Sequence, residues 1–144
     1  MHEGPIGRTF TVLGKSYLHI LHQKLNDLDI DRYYHTLMFI DEGNGVITQK
    51  ELVSLLGSDK VSVVRMVDYL SEKGYVKRVR NKNDNRKYSL ELTSKAKQAV
   101  PKIKQAFTEA NNIVFRGMTD NQKINFNEIL QILKLNLTGN LTSL

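Results

Sequence analysis

A chain of 144 residues, 40% of them apolar, is long enough to bury one sizeable core, which excludes general disorder. It has no cysteine, so disulfides, thiol chemistry and cysteine-built zinc sites are excluded, in keeping with a reducing cytoplasm. The net charge of +6 is concentrated: from Lys73 to Tyr88 seven basic residues stand against Asp84 alone, and the other 128 residues sum to zero. A focused patch is the electrostatic footprint of nucleic-acid binding, although a plain solvated face also carries charge. No apolar run approaches the roughly 18 residues of a membrane span and no signal-peptide core opens the chain, so no membrane partner is expected.

The spacing of Phe10, Leu13, Tyr17, Leu21, Leu25 and Leu28 by threes and fours predicts a helix over 6–28. Asp29 or Asp31 is placed to cap a second helix with Tyr34, Leu37 and Met38 on its apolar side, and Gly43-Asn44-Gly45 ends it. The stretch FIDEGNGVITQKEL, residues 39–52, resembles a calcium loop. With Gly45 at loop position 6, however, Ile40 stands first and offers no oxygen; starting at Asp41 puts glycines at two ligand positions. The stretch reads better as the opening of a short helix, Gln49–Leu56. Thr48 and Glu51 form its capping box and Ile47 and Leu52 its hydrophobic staple, with Val46 and Ile47 offering a short strand.

Gly57 and Ser58 break that helix, and the next one, capped by Ser58 or Asp59, runs to about Lys73 with Gly74 as its stop. Val63, Met66, Val67 and Leu70 give it one buried face, leaving Lys60, Val61, Ser62, Val64, Arg65, Asp68 and Tyr69 on the other. Two short helices across a tight turn make a helix-turn-helix, although a plain helical hairpin has the same pattern. YVKRVRN and RKYSLEL then predict two strands about the turn KNDN, with Tyr88, Leu90 and Leu92 alternating. A hairpin placed there is a wing, and it carries the basic cluster.

Thr93 caps a long helix whose Ala96, Val100, Ile103, Phe107, Ala110 and Val114 form a narrow seam, interrupted by Pro101. After a break at 116–120, with Thr119 as a cap, a last helix carries Ile124, Phe126, Ile129, Leu130, Leu133 and Leu137; the chain beyond Thr138 is expected to fray. A winged helix does not need three extra amphipathic helices. A narrow seam asks for a partner helix, most simply from a second copy of the chain. The expected fold is mainly α with a small β-wing (α+β). Residues 31–96 form a winged helix-turn-helix DNA-binding region, and 1–30 with 97–144 a helical dimerisation region.

Taken in order, these motifs resemble the MarR family of bacterial transcription regulators. The likeness covers about 30–100 and rests on TQKELVSLL, DKVSVVRMVDYLSEKGYVKR and NDNRKYSLELT. The family's Leu-x-x-x-Gly-x-Val-x-Arg stands here as Leu70, Gly74, Val76 and Arg78, its wing Asp-x-Arg as Asp84 and Arg86, and its Leu-x-Leu-Thr as Leu90, Leu92 and Thr93. Val53 replaces the usual Ala where two helices touch, and Ala96 a common Gly. The resemblance implies a transcriptional regulator, a repressor released by a small, often aromatic, acid. Tyr33, Tyr34 and His35 could line a pocket for such an acid, but they read better as core or interface residues. It also implies that Asp84 orients a nearby arginine, Arg86 or Arg78.

Docked as a homodimer on double-stranded DNA, the helix from Asp59 to Lys73 would enter the major groove. Ser62 and Arg65 could hydrogen-bond bases or phosphates, Val61 and Val64 meet thymine methyls, and Lys60 holds phosphate. Arg86 would enter a narrow minor groove, flanked by Lys82 and Lys87 on the backbone. No cofactor is expected. His19 and His22 share a helix face, but a pair without a third ligand reads as surface polar residues rather than a metal site. No phosphate loop, nucleophile elbow or His-Glu-x-x-His occurs, so no enzyme is expected. The alternative is a winged-helix module for protein contacts.

Overall fold

The computed structural model describes residues 4–141. Six helices and two strands run α1 (Ile6–Lys24), α2 (Tyr34–Glu42), α3 (Gln49–Leu56), α4 (Lys60–Glu72), β1 (Val76–Arg80), β2 (Tyr88–Leu92), α5 (Ser94–Val114) and α6 (Asp120–Leu141). They fall into two compact units, Met1–Ala110 and Asn111–Leu144. A winged helix-turn-helix occupies the first unit.

Local chemistry sets the helix-turn-helix. Thr48 accepts from the Glu51 N–H at 3.2 Å while the Glu51 carboxylate accepts from the Thr48 N–H at 2.7 Å, the reciprocal capping box. That bonding holds the Glu51 carboxyl below its ordinary value, the backbone hydrogen bond from Thr48 first among the causes. Gly57 takes the left-handed conformation (φ 58) that closes α3. Asp59 then caps α4 by accepting from the Ser62 N–H at 2.8 Å. Val63, Val67 and Leu70 are buried as expected, with Met66 half-buried beside them. Val63, Val67 and Leu70 pack in one core with Leu21, Leu25, Ile30, Tyr34, Leu37 and Ile40.

Several expectations need correction. α1 ends at Lys24, because the 25–33 segment turns inward and buries Leu25 and Ile30 outside any helix. Neither Asp29 nor Asp31 caps α2; its N-cap is Tyr33, with no side-chain bond. The Asp29 carboxylate instead accepts from the Tyr75 hydroxyl at 2.7 Å and lies 3.5 Å from the Lys95 ammonium, so a long-range partner takes it from the nearby helix end. Val46 and Ile47 are not a strand, although the Ile47 carbonyl accepts from Leu90 N–H at 2.9 Å. The described sheet has two antiparallel strands, Val76 opposite Leu92 and Arg80 opposite Tyr88. Tyr88 is exposed where Leu90 and Leu92 are buried. The hairpin has outrun the helical layer there, and the ring carries the Arg80 guanidinium at 4.6 Å instead.

The α5 seam is filled from within the chain: Ala96, Val100, Ile103 and Ala110 are all buried, whereas Val114 is exposed. Pro101 is accommodated within the helix. Ion pairs flank the seam, Lys24–Glu109 at 2.5 Å, Lys104–Asp41 at 3.1 Å and Lys102–Asp27. In the second unit Thr119 caps α6, accepting from the Gln122 N–H at 3.2 Å, and Phe115 meets Phe126 edge-on. α6 continues through Thr138 to Leu141; residues 142–144 lie outside the described ones.

Candidate nucleic-acid interface

The outer face of α4 is accessible along its length. Lys60 and Arg65 are exposed, Val61 is 60% exposed, and Ser62 and Val64 are half-buried. The Ser62 hydroxyl donates to Asp59 at 2.6 Å, so its proton is engaged in the cap and its oxygen is left as an acceptor. Those two bonds from Ser62, side chain first, hold the Asp59 carboxyl below its ordinary value. An uncapped carboxylate beside a phosphate would be repulsive; this one is turned into the first turn of its own helix.

Strand pairing sorts the wing's cations by face. Residues directly opposite in an antiparallel pair point the same way. Arg78 lies with Leu90 and Arg80 with Tyr88 on one face, and Lys77 with Glu91 on the other. The Arg78 guanidinium reaches the Asp68 carboxylate of α4 at 2.7 Å and the Gln49 amide oxygen of α3 at 3.3 Å. Arg80 donates to the Asn85 carbonyl at 3.0 Å while lying over Tyr88. Lys77 sits 3.6 Å from Glu91. Lys82 turns toward that same side, lining a polar cavity of about 220 Å³ with Asp41, Asn44, Gly45, Glu91 and Lys97.

The tip holds a highly exposed arginine. Arg86 has a side chain 90% exposed, and its Nε donates to Asp84 at 3.1 Å. Its own backbone N–H donates to the same carboxylate at 3.0 Å. Asp84 is therefore held below its ordinary pKa, chiefly by the Arg86 side chain, and is ionised at neutral pH. Of the two arginines considered for Asp84, it holds Arg86, and Arg78 belongs to Asp68. Lys87 is exposed beside the tip.

Thus the structure brings Lys60, Val61, Ser62, Val64 and Arg65 onto the accessible side of α4, with Arg78 fastened to that helix and Asp84, Arg86 and Lys87 at the wing tip. Lys82 is set apart, on the cavity side. Tyr33, Tyr34 and His35 turn to different partners. Tyr34 is buried with its hydroxyl 3.1 Å from His22 Nδ1, Tyr33 packs edge-on against Tyr69, and His35 lies 4.9 Å from the Phe107 ring. His22 is thereby engaged with Tyr34, while His19 is exposed. Among the described residues no three His, Asp or Glu side chains cluster as metal ligands. Nor is any described helix long and apolar enough to cross a membrane.

The sequence placed Asp68 on the outer face of α4 without its Arg78 partner, and did not single out Gln49 or Asn81 as parts of this surface. An Asn in a turn reads as a turn former, and nothing local says that Asn81 is buried at 6% exposure.

A sequence profile of the MarR family matches residues 28–87, which carry α2, α3, α4 and most of the wing. Over those residues the chain is similar to the MarR family. It is similar to the multiple antibiotic resistance protein MarR of Salmonella typhimurium, 32% identical over 89 residues that make up 62% of each chain. The chain spans only about 60% of the length of the curated relatives it matches. A MarR protein from Peptoclostridium difficile shares the fold at TM-score 0.87 and 26% identity, over 97% of this chain and 92% of that one. A MarR-family structure from Listeria monocytogenes, complexed with 26mer DNA, does so at 0.86 and 23% identity, over 97% and 92% of the two chains. At that identity the second likeness speaks for the winged-helix fold.

Proposed function

We propose that this protein is a sequence-specific, DNA-binding transcriptional regulator, not an enzyme, acting as a homodimer on a pseudo-palindromic site. Residues 31–96 bind DNA, and 1–30 with 97–144 dimerise. One observation carries the reading. An accessible α4 face is fastened by Arg78 and Asp68 to a wing whose tip presents a 90% exposed, carboxylate-held arginine. Lys60, Ser62, Arg65, Val61 and Val64 serve the major groove, Arg86 the minor groove, and Lys87 the backbone. Lys82 has the least support, because Asp41 and Glu91 line the same cavity.

Apolar surface left open supports dimerisation. Ile6, Phe10 and Leu13 of α1 lie one helical turn apart and are 64%, 40% and 60% exposed. Independently, α6 exposes Ile124, Ile129, Leu130 and Leu137. Uncovered apolar surface of this kind marks contact surfaces. Release of DNA by a small aromatic acid is the finer part of the reading, and its support is limited to the accessible His35 and half-buried Tyr33.

Selection of bound sites from random duplex DNA tests the function. A selected motif with two-fold symmetry and half-sites about one helical turn apart is expected. Failure to enrich any sequence would leave the protein-contact module as the better account.

A further inference from the structure

Among the hydrogen-bonding groups of the wing, Asn81 has the fullest set of partners. It stands just after β1, at the root of the turn, and is 6% exposed. Its side-chain amide donates one hydrogen to the Val46 carbonyl at 3.0 Å and the other to Ser89 Oγ at 2.5 Å. Its carbonyl oxygen accepts from the N–H of Asn83 at 2.8 Å and of Asp84 at 3.0 Å. An Asn amide offers two donors and one oxygen with two lone pairs, so every position is filled. The Asn81 backbone N–H also donates to Lys87 across the turn at 2.9 Å.

Two ends of the interface meet in this one side chain. Val46 lies two residues before Thr48, the cap of α3, and so belongs to the helix-turn-helix side. Asp84 is the residue that holds Arg86. We propose that Asn81 is the positioning residue of the wing, referencing Arg86 to the helix-turn-helix through Val46 on one side and Asp84 on the other. The inference rests on the DNA-binding reading above. Without Asn81 the N–H groups of Asn83 and Asp84 lose their acceptor and the tip its only side-chain anchor to residue 46 among the described bonds. Arg86 then keeps its charge and its aspartate but must be ordered on binding, a cost that pre-organisation avoids.

The test compares the full-length protein with Asn81→Ala, Arg86→Ala and the double variant on a selected duplex. Asn81→Ala is expected to weaken binding about tenfold. It is also expected to flatten the dependence of log affinity on log salt by about one, although it removes no charge. A fold-stabilising role alone would leave that slope unmoved. On the Arg86→Ala background the loss should vanish, because both act through one contact; additive losses or an unchanged slope overturn the proposal. Should Asn81→Ala not fold, Ser89→Ala, which leaves the Val46 bond, is read in the same way and should cost about threefold. Amide hydrogen exchange separates this inference from the functional reading. If the wild-type chain binds no duplex, the regulator reading fails, and exchange at Asn83 and Asp84 decides alone. Slow exchange that becomes fast in Asn81→Ala upholds the positioning; unchanged exchange overturns it.

Discussion

The Arg78 guanidinium donates to the Asp68 carboxylate at 2.7 Å and thereby joins β1 to the middle of α4. Both side chains are partly exposed, 39% and 52%, so the pair contributes at most ~1 kcal/mol to folding. Its effect should appear in geometry instead. Asp68→Ala removes a negative charge from a surface that meets phosphate, which by charge alone would strengthen binding. We expect instead a several-fold loss on the selected duplex, with non-specific affinity held or raised, in gel shifts at fixed salt. Tighter binding to both would refute the clamp.

Arg86→Ala should weaken specific binding by tenfold or more while the dimer persists by sedimentation. If about six phosphates are neutralised per dimer, the wild-type salt slope is about −5, and the variant's should be shallower. The Asp84–Arg86 pair adds no pH dependence near neutrality. A depressed carboxyl pKa means that its stabilisation is present above the ordinary value of 3.8 and is lost as pH falls below it, through the folded value. A titration of affinity between pH 6 and 8 that tracked Asp84→Asn would contradict this.

Arg65 is exposed on α4 and has none of the ties that hold Arg78 and Arg80 among the described hydrogen bonds and ion pairs. Arg65→Ala should relax sequence choice more than it lowers non-specific affinity. Competition with variant duplexes measures this; equal losses on all DNA would argue against base reading.

Leu13→Glu or Phe10→Asp should shift the protein from dimer to monomer, because each places a charge in the open apolar stripe of α1. Analytical ultracentrifugation reads the change. A wild-type protein already monomeric at micromolar concentration would remove the basis for the dimer.

Desolvation pushes the His35 pKa below its ordinary 6.5, although the residue as a whole stays accessible; its ring packs against Phe107. The folded state therefore favours neutral imidazole. Stability from this source is complete above about pH 6.5 and is lost as pH falls toward the folded value. Melting temperature should fall between pH 7.5 and 5.5, and less so in His35→Gln. Equal falls in both proteins would discount the histidine.

Local signals were legible because their chemistry is complete within a few residues. The Thr48–Glu51 box, the Asp59 cap and the glycine stops at 57 and 74 reach no farther than one helical turn, and all four stand where the spacing predicted them. The buried face of α4 followed from periodicity for the same reason. The misreadings arose where a distant group competed. Asp29 looked like a cap until Tyr75 and Lys95 took it, and Tyr88 looked like core because alternation cannot say where the core ends.

What the sequence by itself determined is the order and type of elements and the family pattern, because helix caps, turns and hydrophobic periods are short-range. What only the tertiary structure decided is which charges are free to act. Arg78, Arg80, Lys77 and Arg86 look alike along the chain. Strand pairing turns Arg78 onto Asp68, lays Arg80 over Tyr88, sets Lys77 beside Glu91 and leaves Arg86 projecting into solvent. A side chain's partner across a sheet or on another helix depends on register and packing, and neither is written in the spacing of charges.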